Sequence, residues 1–202
     1  MPGGIHRDHR SRLQWQEIRK CSPGSPIPAT TRHSVRTRRD CRSRLQTSKM
    51  HKHLRRLGHV WINRPIYFIT TCTAGRRTIL ASKEVSEILI DEWRNGHRRH
   101  GWAIGRYVIM PDHVHFFCRA ELGAKPLQVF MQRWKEWSSK RMTRELNISG
   151  TVWQEEFFDH VLRSGESYSQ KWGYVKENPV RAGLVTSSGE WPWQGEIELL
   201  TL

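Results

Sequence analysis

The chain has 202 residues and carries 34 Lys+Arg against 19 Asp+Glu, a formal net charge of +15. Such an excess favours a polyanionic partner, whose condensed counterions are released on binding, and by itself fits a ribosomal or RNA-binding protein as well as an enzyme working on DNA. Four scattered cysteines (Cys21, Cys41, Cys72, Cys118) make neither a CxxC pair nor a disulfide framework, and no apolar run approaches the roughly 18 residues of a membrane span. No apolar segment follows a charged start as in a secretory signal. The expected setting is a reducing cytoplasm, with no membrane partner.

Residues 1–49 differ from the rest. They hold 12 Lys+Arg and 3 Asp+Glu, and the Arg36, Arg38, Arg39, Arg42 and Arg44 run has little apolar content. Ser22-Pro23-Gly24-Ser25-Pro26-Ile27-Pro28 interrupts regular structure. This extension is expected to be disordered, because it has too little apolar surface to offset its ordering entropy. It reads either as a basic DNA-binding arm or as a start-site artefact preceding a natural start at Met50. Residues 50–202 suit a single domain.

Within that domain, Ile66 to Thr73 is rich in β-branched and aromatic residues and reads as a strand. Thr73 to Arg77 forms a loop. Ser82 can cap a helix whose apolar stripe is Val85, Ile88, Leu89 and Trp93, with Gly101 as its stop. Trp102 to Ile109 and His113 to Arg119 read as two strands joined at Met110-Pro111-Asp112. Pro126 opens a second long helix with Leu127, Phe130, Met131, Trp134 and Trp137 on one face. Val152 to Leu162 contains a fourth strand, with Trp153 at its start. Tyr67 and Tyr107 fall in strands and read as sheet residues. Trp191 and Trp193 can close over the core or touch DNA, and the spacing leaves both open. The order βαββαβ predicts an α+β fold: a ferredoxin-like antiparallel sheet with both helices on one face. A later helix, carrying Tyr174, is expected on the other face.

The chemistry concentrates in two places. In a strand, His113 and His115 project from one face while Val114 anchors the other. Two imidazoles so placed are half of a metal site, though an exposed pair on a solvated sheet has the same spacing. The second place is Gln170 to Leu184, read as a helix with Ser167 and Gln170 as a capping box. Asn178, before Pro179, should end its first piece. Tyr174 and Asn178, four apart, share a helical face, and Gly173 leaves room beside Tyr174 for a close partner. Taken alone, Tyr174 packs at a core edge and Asn178 caps a helix. Tyr168 lies about 240° round the helix from Tyr174.

Met110-Pro111-Asp112-His113-Val114-His115, then Trp153-Gln154-x-x-Phe157-x-Asp159-His160-x-x-Arg163, then Tyr174-x-x-x-Asn178-Pro179-x-Arg181-Ala182-Gly183-Leu184 together resemble the REP-associated tyrosine transposases. These are HUH single-strand nucleases related to the single-tyrosine insertion-sequence transposases. The resemblance runs from about Val60 to about Trp193. Many relatives carry Asn where this chain has Asp112, a departure expected to leave the neighbouring pair unaffected.

The resemblance implies a single-stranded DNA endonuclease and strand transferase acting on repetitive palindromic hairpins. His113, His115 and Asn178 would hold a divalent ion, Mg²⁺ or Mn²⁺. Tyr174 would be the nucleophile, leaving a 5′-phosphotyrosine and a free 3′-OH with no nucleotide cofactor. It also implies a monomer or homodimer in a prokaryotic cytoplasm, associated with the nucleoid. Lys171 and Arg181, near Tyr174, are the first candidates for phosphate contacts, followed by Arg76, Arg77 and Arg163; exposed arginines are more often merely solvated. His160 reads either as a DNA or site residue or as a structural hydrogen-bonding group. The alternatives are a non-catalytic hairpin-binding protein and a rolling-circle initiator or relaxase-like nuclease. A structural zinc protein is disfavoured by the lack of paired cysteines.

Overall fold

The computed structural model describes residues 65–162 and 164–200. The expectations for residues 1–49 and for Arg163 lie outside the described residues. The elements are β1 (Ile66–Cys72), α1 (Lys83–His100), β2 (Trp102–Ile109), β3 (His113–Ala120), α2 (Leu127–Leu146), β4 (Phe158–Leu162), α3 (Gly165–Val175), the short α4 (Asn178–Arg181) and β5 (Gln194–Glu196). The strands form one sheet in the order β4-β1-β3-β2-β5, and every pairing is antiparallel. This is the expected βαββαβ arrangement with one addition. β5 pairs with the outer edge of β2, and its Gln-Gly-Glu sequence carries no strand pattern of its own.

Local signals set the helix ends. Ser82 Oγ accepts a hydrogen bond from the Val85 amide at 3.2 Å, and Gly101 closes α1 at φ 74°, a conformation open to glycine at little cost. In α2 the buried side chains are Phe130, Met131, Trp134, Ser138 and Met142, a stripe that steps by four. Trp137 was expected on that stripe but is 43 % exposed. Ser138 takes the inward position instead, its hydroxyl accepting a 2.9 Å bond from Trp153 Nε1. Trp137 lies to the side, under the Lys140 ammonium at 4.7 Å.

The two faces of the sheet hold separate apolar clusters. On one face Trp93 of α1 and Trp134 of α2 stack at 5.4 Å over Phe116, beside Ile104, Ile109 and Val114. On the other face Phe68, Phe117 and Val108 meet Tyr168 of α3, Trp191 and Leu200. Tyr168 meets Phe117 edge-on at 4.8 Å. An irregularity in β2 between Ile104 and Tyr107 shifts the alternation by one residue. Trp102, Ile104, Tyr107 and Ile109 can therefore all face the helices. Gly105, inside that irregularity, is needed for close approach: a Cβ there would lie 2.7 Å from Leu200 Cδ1.

Three local expectations are corrected. Helix α3 begins before Ser167: Ser164 is the cap, and its hydroxyl accepts from the Ser167 amide at 3.2 Å. The run Val152-Trp153 enters the core, but Trp153 makes only an isolated bridge to Thr73, and β4 starts at Phe158. Asn178 opens α4 rather than ending the first helical piece, because Pro179 suits a helix's first turn, where its missing N–H costs nothing. Trp191 is a core residue, its Nε1 donating to the Ile109 carbonyl at 3.0 Å. Among the described residues no helix is long and apolar enough to cross a membrane.

Candidate active site

Strand alternation aims His113 and His115 at the face that carries α3, while Val114 is wholly buried under α1 and α2. The two imidazoles are buried, with ring centroids 4.7 Å apart and planes at 83°. Antiparallel pairing puts Thr70 opposite His115 and Cys72 opposite His113. Each ring is anchored through Nδ1. Thr70 Oγ1 lies 2.7 Å from His115 Nδ1, and Asp112 Oδ1 lies 2.6 Å from His113 Nδ1. A neutral imidazole has one N–H and one lone pair, so in the tautomer whose Nδ1–H donates to these oxygens, Nε2 is the atom left for a ligand.

Asp112 therefore touches the pair directly. Its Oδ2 also meets Arg76 Nε at 2.8 Å. Burial pushes the Asp112 carboxyl up, but the hydrogen bond and charge of His113 and the Arg76 charge outweigh it, holding the group below the usual range. For His115, burial comes first and the positive charges of His113, Lys171, Arg181 and Arg76 add to it, driving its pKa well below the ordinary histidine value. A ring held neutral in this way is in the state that metal ligation requires.

The other candidate residues lie on α3 and α4. Tyr174, in the last turn of α3, is 36 % exposed. Arg181 lies over it, with Cζ 3.8 Å from the ring centroid. Arg181 Nη2 donates to the Tyr174 carbonyl at 2.7 Å and also to the Asn178 side-chain oxygen, so one guanidinium ties together both sides of the helix break. Lys171 places its ammonium 4.7 Å over the Phe68 ring, and Phe68 stacks on His115 at 5.5 Å and 18°. Desolvation lowers the Lys171 pKa to about 8. The charges of Lys171 and Arg181 both act on His115, which links the tyrosine-bearing segment electrostatically to the buried imidazoles. His160 pairs opposite Phe68 across β1 and β4.

The other basic candidates divide. Arg76 sits at the histidine pair, held by Asp112 and by a 2.7 Å contact to Cys72 Sγ. Arg77 turns away, donating to the carbonyls of Ser149 at 2.9 Å and Thr151 at 3.3 Å, and so braces a loop. Among the described residues no three His, Cys, Asp or Glu side chains are grouped to hold a metal. Two histidines alone make an incomplete set, so a metal held here would need a further ligand, such as an amide or the substrate. Asn178 is the amide on the adjoining segment.

The model of the family described as "Transposase IS200 like" matches residues 61–178, a span that includes both histidines, the tyrosine and the asparagine. The chain belongs to this family. A REP-associated tyrosine transposase of Escherichia coli (strain K12) is 26 % identical over 127 residues, 63 % of this chain and 73 % of that protein. A solved REP-associated tyrosine transposase bound to a REP hairpin shares the fold with a TM-score of 0.56 at 22 % identity, covering 67 % of this chain and 79 % of that one.

In this IS200-like transposase, sequence reasoning missed Thr70, Phe68 and the role of Asp112. Thr70 and Phe68 carried no signal, since their part depends on the register of β1 against β3. Asp112 carried one: a carboxylate next to a candidate ligand histidine commonly accepts from its other ring nitrogen and so orients the ring.

Proposed function

We propose that the chain is a metal-dependent endonuclease and strand transferase for single-stranded DNA, acting on repetitive palindromic hairpins through a covalent phosphotyrosine. The observation that carries this reading is the pair of buried imidazoles, each tethered at Nδ1 so that Nε2 is left to ligate, under the electrostatic reach of Arg181, which stacks on Tyr174. The hairpin substrate follows from the solved relative described as bound to a REP hairpin.

In this mechanism His113, His115 and Asn178 would hold Mg²⁺ or Mn²⁺, which would supply Lewis-acid polarisation of the scissile phosphate. The Tyr174 hydroxyl gives its proton to water, and the phenolate oxygen attacks phosphorus. The Tyr174 Oη–P bond forms as the P–O3′ bond breaks, and the 3′ oxygen leaves with the electron pair and takes up a proton. Arg181 and Lys171 bind the phosphate oxygens. Reversal with a new 3′-OH rejoins the strand, and the tyrosyl–phosphate bond conserves the energy, so no nucleotide is consumed. Arg76 acts indirectly, holding Asp112 against His113.

The test is a labelled hairpin oligonucleotide incubated with protein and Mn²⁺, then run on a denaturing gel. A covalent adduct is expected with the wild type and not with Tyr174→Phe or His113→Ala. An adduct surviving Tyr174→Phe removes the nucleophile. Hairpin binding without cleavage under every divalent metal tried favours a non-catalytic hairpin-binding protein instead.

A further inference from the structure

Arg181 donates a hydrogen bond to the one atom of Asn178 that can ligate a metal. The guanidinium donates to the Asn178 side-chain oxygen and to the Tyr174 carbonyl at 2.7 Å, and its Cζ lies 3.8 Å from the Tyr174 ring centroid. A dication on the same oxygen would sit within a few ångströms of a permanent positive charge, at a site whose buried histidine already feels Arg181, Lys171 and Arg76. Arg181 is itself exposed, so an incoming anion can reach it. A phosphodiester offers a planar guanidinium two oxygens and a full charge, a stronger partner than one neutral amide oxygen.

We infer that Arg181 is a latch that makes metal and DNA phosphate bind cooperatively: without DNA it holds Asn178 away from the metal, and the phosphate draws it off and releases the amide. The inference rests on the reading of Asn178 as a ligand given above. It assigns Arg181 a positioning role exerted through Asn178, beyond a simple phosphate contact. Because the coupling is a binding free energy, it must run both ways: metal strengthens DNA binding by the factor by which DNA strengthens metal binding. The stacking on Tyr174 adds a second consequence, since releasing the latch also uncovers the ring that carries the nucleophile.

The test is a Mn²⁺ titration followed by electron paramagnetic resonance, on the full chain with and without a cleavage-resistant hairpin oligonucleotide. Wild type is expected to bind Mn²⁺ weakly alone and roughly tenfold or more tightly with DNA, the scale of one charge-assisted hydrogen bond. Arg181→Gln and Arg181→Lys should both bind Mn²⁺ more tightly than wild type without DNA and show a reduced DNA effect. The lysine variant separates the latch from charge: it keeps the positive charge but loses the flat fork that spans Tyr174 and Asn178. If Arg181→Lys behaves as wild type and only Arg181→Gln gains affinity, general electrostatics is the cause and the latch is wrong. Equal Mn²⁺ affinity in wild type and both variants overturns it too. Asn178→Ala isolates the underlying reading: unchanged Mn²⁺ affinity with DNA present shows that Asn178 is no ligand, whereas a loss there with neutral Arg181 variants leaves the ligand standing and removes the latch alone.

Discussion

Thr70 Oγ1 and His115 Nδ1, 45 positions apart in the chain, meet at 2.7 Å across the β1–β3 pair. For His115 to ligate through Nε2, its Nδ1 must carry the proton and donate to the threonine. Thr70→Val keeps the strand and the volume but leaves that N–H buried with no acceptor. Mn²⁺ affinity should fall roughly tenfold, at the lower end for losing a group that hydrogen-bonds a ligand histidine, with the fold unchanged by circular dichroism. Unaltered affinity would mean that the threonine does not set the ring's tautomer.

Asp112 should matter in graded fashion. Asp112→Ala removes the acceptor for His113 Nδ1 and the partner of Arg76 together, and metal affinity should drop about 10–100-fold. Asp112→Asn keeps an oxygen that can accept from His113 but loses the ion pair with Arg76, so a smaller loss is expected. Isothermal titration with Mn²⁺ ranks the two variants. Equal losses in the two variants would show that the negative charge at Asp112, not its ability to accept from His113, is what the site uses.

Lys171 should make hairpin binding sensitive to alkaline pH. Desolvation lowers its pKa to about 8 from 10.5. A phosphate beside it favours the charged form and raises that value in the complex. Binding then takes up a proton above pH 8: affinity is level below that point and falls as pH rises through it, by at most about tenfold per unit. The free protein responds with the opposite sign. Between about 8 and 10.5 the unfolded chain holds more of this lysine's proton, so this group's contribution to stability rises with pH across that window. Hairpin Kd measured from pH 7 to 9.5 should bend for wild type and stay flat for Lys171→Met. A bend that persists in the variant assigns the effect to another group.

Two helical glycines should respond oppositely to alanine. At Gly96 a Cβ would lie 2.6 Å from Phe130 Cε2, and that ring is wholly buried and stacked on Trp102 at 5.7 Å. Overpacking costs about 1–3 kcal/mol, against a gain of about 1 kcal/mol in helix propensity, so Gly96→Ala should lower stability in urea denaturation. At Gly173 nothing lies within 4 Å of an added Cβ, and Gly173→Ala should raise it by about 0.5–1 kcal/mol. If that stabilised variant also loses hairpin affinity, the space beside Tyr174 is one that DNA fills.

Much of the fold was legible because its signals are local. Ser82 and Gly101 bracket α1 with their own side chain and backbone preferences, and the apolar stripe of α2 was readable apart from Trp137. That miss came from assigning an aromatic ring inward at a position next to the true stripe, where a serine serving Trp153 was needed. The cap of α3 was placed three residues late because Ser164 and Ser167 are equally good capping residues by type, and only the packing of Tyr168 against Phe117 selects the earlier start. β5 was not legible, since three residues without strand character pair only because β2 offers them an edge.

The candidate site divides the same way. That His113 and His115 share a face follows from strand periodicity, a property of adjacent peptide units, and the candidate residues themselves were read from their order and spacing. Tertiary structure alone decided what surrounds them. The register of β1 brought Thr70 to His115, the docking of α3 laid Lys171 on Phe68, and the break before Pro179 turned Arg181 back onto Tyr174 and Asn178. Backbone geometry within a few residues is dictated by those residues, whereas contacts between distant segments depend on which apolar faces bury each other, and that is determined only when the whole sheet and its helices pack at once.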